Sequence, residues 1–295
     1  MKYPDKIDLH MHTTVSDGTD TPEEILSRIK AAGISLFSVT DHDAIKSGTI
    51  LPPLLREGDP RFLPGVELSC KDAEGKYHIL GYGYDPYSEG IQKVVDLGHS
   101  YRMNKVQSRM DFLKAEFGFT FPEEELAKLL ALDNPGKPHI ANLMVKYGYA
   151  ETKEQAIRKY INQIHFRGEY VRPEEAIQGI LASGGVPVLA HPSYGSGDQL
   201  ILGDDMDRRI RRLMGFGLKG LEAFYSRFTE KLRGEILSFA DRYGLYVTAG
   251  SDYHGTNKLI VPGDTGLDGD TARPNGLRRF LEDTEEKQLS GGNRL

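Results

Sequence analysis

The sequence predicts an α/β fold in which short strands alternate with helices and polar residues follow the strands. Three observations indicate this fold: apolar runs recur along the chain, helical stretches separate several of them, and histidines or carboxylates come directly after the runs. A parallel α/β barrel has its active site at the carboxyl ends of its strands. We therefore expect these polar residues to meet at one end of the fold.

The first strand is predicted over residues 6–12, where His10 and His12 alternate within an apolar stretch. Alternate side chains of a strand point to one face, so both imidazoles should face the same way. A helix should begin after Thr21, because threonine is a preferred N-cap, Pro22 suits the first helical position and two glutamates follow.

Later strands are predicted near residues 36–41, 62–69, 77–84, 186–190, 219–224 and 245–249. Helical stretches, including 173–183 and 229–243, lie between some of them. The segment 92–172 shows only amphipathic helical pieces, so we predict a small helical domain inserted there. The predicted divisions are 1–91 and 173–267 for the α/β core, 92–172 for the insertion, and 268–295 for a polar tail that lies loosely on the surface.

The composition predicts a cytoplasmic enzyme. No apolar run in the 295 residues approaches the roughly 18 to 20 that a membrane-spanning helix needs, and the N-terminus lacks the apolar core of a signal peptide. A single cysteine excludes an internal disulfide and a cysteine-rich zinc motif. The net charge of −6 argues against non-specific coating of nucleic acid. We expect neither membrane association nor an obligate protein partner.

Histidines and carboxylates at or near the predicted strand ends have the chemistry of metal ligands. They are His10, His12, Asp17, His42, Glu67, His78, His191, Asp252 and His254. Imidazole and carboxylate donors without thiolates suit zinc, iron or manganese. The two oxygens of a carboxylate can bind different cations, so a carboxylate is the natural ligand to bridge two metals.

The combined motifs resemble those of the PHP (polymerase and histidinol phosphatase) family of metal-dependent phosphoesterases. The motifs are Asp8-x-His10-x-His12, Asp41-His42, Glu67, His78, Ala190-His191-Pro192 and Gly250-Ser251-Asp252-x-His254, and they cover residues 5–90 and 173–258. The segments 137–141 and 167–171 and the helical insertion resemble one branch of this family. That branch contains 3′,5′-nucleoside bisphosphate phosphatases, cyclic phosphate dihydrolases and a 5′→3′ RNA exonuclease.

The resemblance implies a distorted (β/α)7 barrel with the inserted helical domain, and three divalent metal ions per chain (Mn, Fe or Zn). It implies that the first metal is held by His10, His12, Glu67 and Asp252, the second by Glu67, His78 and His191, and the third by Asp17, His42 and His254. Water between two divalent metals becomes a nucleophile near neutral pH. The implied reaction is hydrolysis of a small nucleotide-like or sugar phosphate by a metal-bridging hydroxide, with Glu67, Asp252 and His254 as catalytic residues.

Substrate contacts are predicted from charge and position. Residues 100–172 contain 12 Lys and Arg against 9 Asp and Glu, whereas the rest of the chain contains 25 against 34. Arginines and helix N-termini bind phosphate well, and an aromatic ring at a strand end can stack on a base. The predicted contacts are His139, Arg167, Arg102, Arg109, Tyr225 and Arg227. The expected partner is a small phosphorylated metabolite, with short RNA ends as a second possibility.

Several alternatives remain open from the sequence. They are a 5′→3′ exonuclease on short RNA, a histidinol-phosphate-type phosphatase, an amidohydrolase or deaminase, and a non-catalytic scaffold. Many amidohydrolases use a lysine at the bridging position, where this chain offers Glu67. Asp8 and Asp41 have two open roles, either orienting imidazoles or accepting hydrogen bonds from the backbone at strand ends.

Overall fold

The computed structural model describes residues 5–166, 168–195, 199–267 and 273–291, with side chains through residue 287. Within these ranges the chain forms an α/β fold with two sheets, the first made of three short parallel strands. These strands are β1 (Ile7–Asp8), β2 (Leu36–Phe37) and β3 (Arg61–Phe62). Strand β1 is shorter than the predicted 6–12, and the chain beyond Asp8 continues as an extended segment rather than a regular ladder.

The second sheet has five strands in sequence order. They are β4 (Gly65–Asp72), β5 (Gly75–Tyr82), β6 (Val186–Leu189), β7 (Gly220–Tyr225) and β8 (Tyr246–Gly250). Strands β6, β7 and β8 are parallel, but β5 is antiparallel to both β4 and β6. Two residues connect β4 to β5, which suffices for a hairpin and is far too short for a parallel crossover. Strand β5 therefore departs from the parallel arrangement of strands that was predicted from the sequence.

Backbone contacts join the two sheets on two sides. On one side the Leu9 N–H donates to Ala249 O at 2.9 Å, and Met11 pairs with Tyr253 in a parallel bridge. On the other side His42 pairs with Glu67 in a second parallel bridge. These connections bring the segments that follow β1, β2 and β8 to one end of the fold, next to β4.

Helices cover the sheets and connect the strands. They are α1 (Pro22–Ala31), α2 (Ser47–Ile50), α3 (Glu89–Phe117), α4 (Glu123–Leu130), α5 (Lys137–Lys146), α6 (Lys153–Gln155), α7 (Pro173–Ala182), α8 (Gly203–Gly215), α9 (Glu230–Tyr243) and α10 (Asn275–Gly291). Helix α1 begins as predicted, because Thr21 and Glu24 form a reciprocal capping box.

The region between β5 and β6 is helical, and it has an apolar core of its own. Helix α3 reaches both cores: Ile91 and Val94 pack in the main core, whereas Val106 and Leu113 pack with α4 and α5. The change from one core to the other thus falls inside a continuous helix, not at its start. Among the described helices, none combines the length and apolar composition needed to cross a membrane.

The expectation of a loosely attached tail is wrong for the C-terminal helix. Leu277, Phe280 and Leu281 of α10 are buried at 0 to 1% exposure and pack in the main core against β8. Their spacing places them on one helical face, which explains why a segment that is polar overall can dock firmly. Residues 268–272 and 292–295 of the predicted tail lie outside the described residues.

Candidate metal centre

The carboxylate of Glu67 lies at the middle of the predicted ligand set. Its side chain is 1% exposed, and both oxygens lie within 3.2 Å of imidazole nitrogens. Oε2 faces His10 (3.2 Å), His12 (3.1 Å) and His42 (3.2 Å), and Oε1 faces His78 (2.8 Å) and His191 (3.2 Å). One carboxylate thus contacts five imidazoles from four separate parts of the chain.

The remaining predicted ligands complete this cluster. Asp252 Oδ1 lies 3.5 Å from His10 Nε2 and 3.4 Å from His12 Nε2, and Asp17 Oδ1 lies 3.3 Å from His254 Nε2. The ligand atoms form three overlapping groups, in each of which they lie within 4.8 Å of one another. The groups are His12, Asp17, His42 and His254; His10, His12, Glu67 and Asp252; and His42, Glu67 and His78.

Backbone geometry constrains two of these ligands, His191 and Asp252, and also Asp43, which follows the ligand His42. Asp43, His191 and Asp252 have positive φ values of 48°, 29° and 59°, a conformation that is uncommon for residues other than glycine. Such strain persists only where the surrounding structure enforces it, and it concentrates at functional sites. The Asp252 N–H donates to His10 O at 2.7 Å, which ties the β8 end to the β1 end.

The chemistry of the cluster fits divalent metal ions. Several polar atoms that converge here are buried and lack a hydrogen-bond partner among the described residues, although buried polar atoms are normally paired. These atoms are His10 Nε2, His12 Nε2, Asp17 Oδ1, His42 Nδ1 and His78 Nδ1. Nitrogen and oxygen atoms that approach one another without hydrogen-bonding geometry are the arrangement expected of ligands around a cation.

The pKa values of the clustered residues are shifted by burial and by the charges of their neighbours. Burial raises the pKa of Glu67, but the imidazoles of His78, His10 and His42 outweigh burial and hold that pKa well below its usual value. Burial lowers the pKa of His10, but Glu222, Glu67 and Asp252 raise it well above its usual value. The pKa values of Glu67 and His10 therefore shift in opposite directions because carboxylates and imidazoles attract one another inside the cluster.

Glu222 is a site residue that the sequence reasoning missed. It lies within strand β7 at 0% exposure, where its Oε1 is 2.8 Å from His10 Nδ1 and its Oε2 accepts from the His191 N–H at 2.8 Å. A lone carboxylate inside the apolar run 220–225 was the available signal, since a buried charge needs partners. Glu222 orients two of the predicted ligands.

We expect Glu222→Gln to lower metal affinity and kcat about 10- to 100-fold, as is typical when the hydrogen-bond partner of a ligating histidine is lost. Metal content and phosphate release measured together would test this. Glu230→Gln, which removes an exposed carboxylate from α9, serves as the control. Unchanged metal affinity in Glu222→Gln would contradict the orienting role.

Asp8 and Asp41 accept hydrogen bonds without contacting the imidazoles directly. Asp8 accepts hydrogen bonds from the N–H groups of Ser251 (2.9 Å) and Gly263 (2.7 Å). Of the two roles that the sequence left open for it, Asp8 therefore has the second, in which the backbone supplies its hydrogen bonds. Asp41 accepts from the Thr13 N–H and from the Thr13 and Ser16 hydroxyls, each at 2.8 Å. Asp41 therefore holds the loop that follows His12.

A cleft of about 610 Å³ opens onto the ligand cluster. Besides His42, Glu67, His78, His191 and Asp252, its lining includes Tyr194, Tyr225, Arg227 and Lys258. Two of these residues bond to a predicted ligand: the Tyr225 hydroxyl donates to Asp252 Oδ2 at 2.8 Å, and Lys258 Nζ donates to the same oxygen at 2.5 Å. Lys258 was missed from the sequence, because it lies in a loop four residues beyond the last motif.

The other predicted substrate contacts lie away from this cleft or have protein partners. Arg102 donates to Asp43 Oδ2 at 2.7 and 3.1 Å, and His139 Nδ1 accepts from the Gly136 N–H at 3.0 Å, capping its own helix. Arg109 lines a different cavity. Arg167 lies outside the described residues. A contact of any of these residues with substrate stays a prediction.

Comparison with known proteins agrees with the resemblance drawn from the motifs. A 3′,5′-nucleoside bisphosphate phosphatase of Chromobacterium violaceum is 29% identical over 273 residues, covering 89% of this chain and 90% of that protein. A 5′-3′ exoribonuclease of Haemophilus influenzae is 26% identical over 253 residues, covering 84% and 90%. A crystal structure described as a metal-dependent phosphoesterase from Bifidobacterium adolescentis superposes with a TM-score of 0.78 at 26% identity, covering 94% and 96%. The model of the PHP domain matches residues 8–171, more than half of the sequence, and the chain therefore belongs to the PHP domain family.

Proposed function

We propose that this protein is a metal-dependent phosphoesterase that hydrolyses a phosphate ester of a small nucleotide-like substrate. The observation that carries the proposal is the contact of one buried carboxylate, Glu67, with five imidazoles at the bottom of an open cleft. Among the described residues, no serine or cysteine takes part in these contacts with Glu67. The cluster instead offers nitrogen and oxygen atoms that could bind several cations. The family and the phosphatase and phosphoesterase relatives support the same reaction class.

We assign the ligands to three divalent metal ions, Mn, Fe or Zn. His10, His12, Glu67 and Asp252 would hold the first, Glu67, His78 and His191 the second, and Asp17, His42 and His254 the third. For the first and third metals, the assigned ligands fall within groups of atoms that lie within 4.8 Å of one another, and His12 belongs to both of these groups. For the second metal, Glu67 and His78 are grouped with His42, whereas His191 belongs to none of the groups but lies 3.2 Å from Glu67 Oε1. When bound, the metals would activate water and neutralise the phosphoryl oxygens for an in-line displacement.

The residues of the cleft have complementary roles in this proposal. Glu67, Asp252 and His254 position the reacting groups. Arg227 and Lys258 bring positive charge to the cleft wall, which would attract a phosphate ester. Tyr225 is 5% exposed and hydrogen-bonded to Asp252, so we assign it to holding that carboxylate in place as well as lining the cleft.

We also interpret the fold as a distorted (β/α)7 barrel with an inserted helical domain between β5 and β6. The bridges from Met11 to Tyr253 and from His42 to Glu67 support closure of the two sheets into one barrel. The separate apolar core of α3, α4 and α5 supports an inserted unit. In this arrangement the barrel supplies the metal chemistry, and the helical unit contacts the segment that carries His42, whose carbonyl accepts a hydrogen bond from the Asn134 side chain.

A nucleoside 3′,5′-bisphosphate or a cyclic phosphate is the favoured substrate. A cleft of about 610 Å³ lies within the roughly 300 to 1,000 Å³ that small-molecule sites occupy. The Chromobacterium relative is named for nucleoside bisphosphates. The exoribonuclease relative makes short RNA the main alternative.

Phosphate release across a substrate panel would test this function. The panel contains adenosine 3′,5′-bisphosphate, a cyclic nucleotide, short 5′-phosphorylated RNA, histidinol phosphate and a generic aryl phosphate, with amide and deamination substrates for comparison. We expect metal-dependent release of phosphate, with the highest kcat/KM for the bisphosphate or the cyclic phosphate. Turnover of only the amide or deamination substrates would contradict the proposal, and a preference for RNA would favour the exonuclease.

A further inference from the structure

A second cavity, of about 450 Å³, lies between the β4–β5 hairpin and the helical segment. Four cationic side chains line it: Lys71, Lys76, Arg109 and Lys137. A fifth, Lys105, lies just behind the wall, with Nζ 3.8 Å from the centre of the Tyr170 ring. The aromatic rings of Phe166 and Tyr170 also line the cavity, but no carboxylate does so among the residues that the structure describes. The cavity is therefore strongly positive.

These five cations, of which Lys105 and Arg109 are buried, lack carboxylate partners among the described residues. None of the five forms an ion pair with a carboxylate in the described part of the chain, and their closest partners are neutral. Lys71 Nζ donates to Phe166 O at 2.5 Å, and Lys137 Nζ donates to Asn162 Oδ1 at 2.6 Å. A cluster of like charges without counter-charge is unfavourable unless an anion enters it.

Arg109 gives the most specific indication of a ligand. It is only 6% exposed, its guanidinium lies 5.0 Å from the centre of the Phe166 ring, and its buried Nε has no hydrogen-bond partner among the described residues. Burial, together with neighbouring cations, lowers the pKa of Arg109 to about 10 and that of Lys137 to about 8. An anion in the cavity would give this guanidinium a partner and would offset the repulsion.

The hairpin connects this cavity to the metal centre. Alternate residues of a strand share a face, so Glu67, Ser69 and Lys71 of β4 form one row. On β5, His78 pairs with Ser69 and Lys76 pairs with Lys71. Lys71 lies four positions beyond Glu67 along the strand, or about 13 Å at roughly 3.3 Å per residue. The metal centre and the cavity therefore lie along one face of the hairpin.

We propose that this cavity is an anion subsite that binds a non-reacting phosphate of the substrate while another phosphate lies at the metal centre. Arg109 and Lys137 supply the principal contacts, and Lys71 and Lys76, which pair near the turn of the hairpin, add positive charge to the cavity wall. The inference rests on the proposed phosphoesterase function and deepens it, because it selects substrates that carry two separated phosphates. Neither Lys71 nor Lys76 nor Lys137 was among the predicted substrate contacts.

Steady-state kinetics of Arg109→Met and Lys137→Met would test the subsite. Each variant should raise KM for adenosine 3′,5′-bisphosphate about ten- to hundred-fold, the effect of losing one charge-assisted hydrogen bond to phosphate. Hydrolysis of an aryl phosphate, which has no second phosphate, should change less than about twofold. Lys114→Met removes an exposed cation from the same helix as Arg109 and should change neither activity. Equal losses on both substrates, or no loss on the bisphosphate, would overturn the subsite.

Calorimetry with inorganic phosphate separates this proposal from the function on which it rests. Wild-type protein that hydrolyses no phosphate ester would contradict the function, and phosphate binding would still report on the cavity. We expect the metal-loaded wild type to bind one more phosphate per chain than the double variant Arg109→Met/Lys137→Met. The same number of phosphates in both proteins would overturn the subsite.

Discussion

Replacing Glu67 by glutamine should lower kcat by about three orders of magnitude or more, equivalent to at least about 4 kcal/mol of transition-state stabilisation. Both oxygens of Glu67 face imidazoles, and we propose that they bridge two metals. An amide keeps the shape of the side chain but loses its charge, and its NH2 group cannot act as a ligand. We therefore expect two metals to bind more weakly at once. Phosphate-release kinetics and elemental analysis of the same preparations would measure both effects.

Two further variants make this result specific. Glu74→Gln removes an exposed carboxylate from the turn of the same hairpin, and it should retain normal kcat and metal content. His191→Ala should mainly affect the second metal, because His191 belongs to the Oε1 side of Glu67. Near-normal turnover with full metal content in Glu67→Gln would show that Glu67 is not the bridge.

Removal of the metals should abolish hydrolysis and lower the thermal stability of the protein. The buried carboxylates and imidazoles that face one another would lose the cations that separate them, so the folded state becomes less favourable. A ligand at about 1,000 times its Kd stabilises a protein by about 4 kcal/mol, which sets the scale of the expected loss. Activity and Tm should be measured after chelation and again after adding Mn, Fe or Zn. Full activity in protein shown to be metal-free would contradict this expectation.

The central ligands could be predicted from the sequence because they follow local rules. His10 and His12 share a face of an extended segment, and His42, Glu67 and His191 each follow an apolar run that the fold brings to one end. The structure brings all of the predicted ligands into one cluster around Glu67. Their assignment to particular metals stays a proposal.

Other features depend on contacts that no local pattern reveals. In the sequence, Glu222 is a single polar residue within a buried strand. Its role is evident only from the structure, where β7 lies beside His10 and His191. The cavity at Arg109 and Lys137 forms only when a helical segment packs against the β4–β5 hairpin.

The C-terminal helix illustrates a different limit. Among the described side chains of this helix, Leu277, Phe280 and Leu281 form its buried apolar face, and the many charges between and after them lower the average hydropathy of the segment. Composition therefore suggested a loose tail. The helical spacing of those three residues was the signal that predicts docking.

Elemental analysis of protein purified without chelator and then loaded with metal tests the central claim most directly. Nine converging ligands exceed what one ion needs, so we expect about two to three transition-metal ions per chain, with activity rising as the later ions bind. Glu67→Gln measured in parallel should retain fewer ions than the wild type. A carefully loaded wild-type preparation that never exceeds one ion per chain, yet hydrolyses phosphate esters at full rate, would contradict the multinuclear centre.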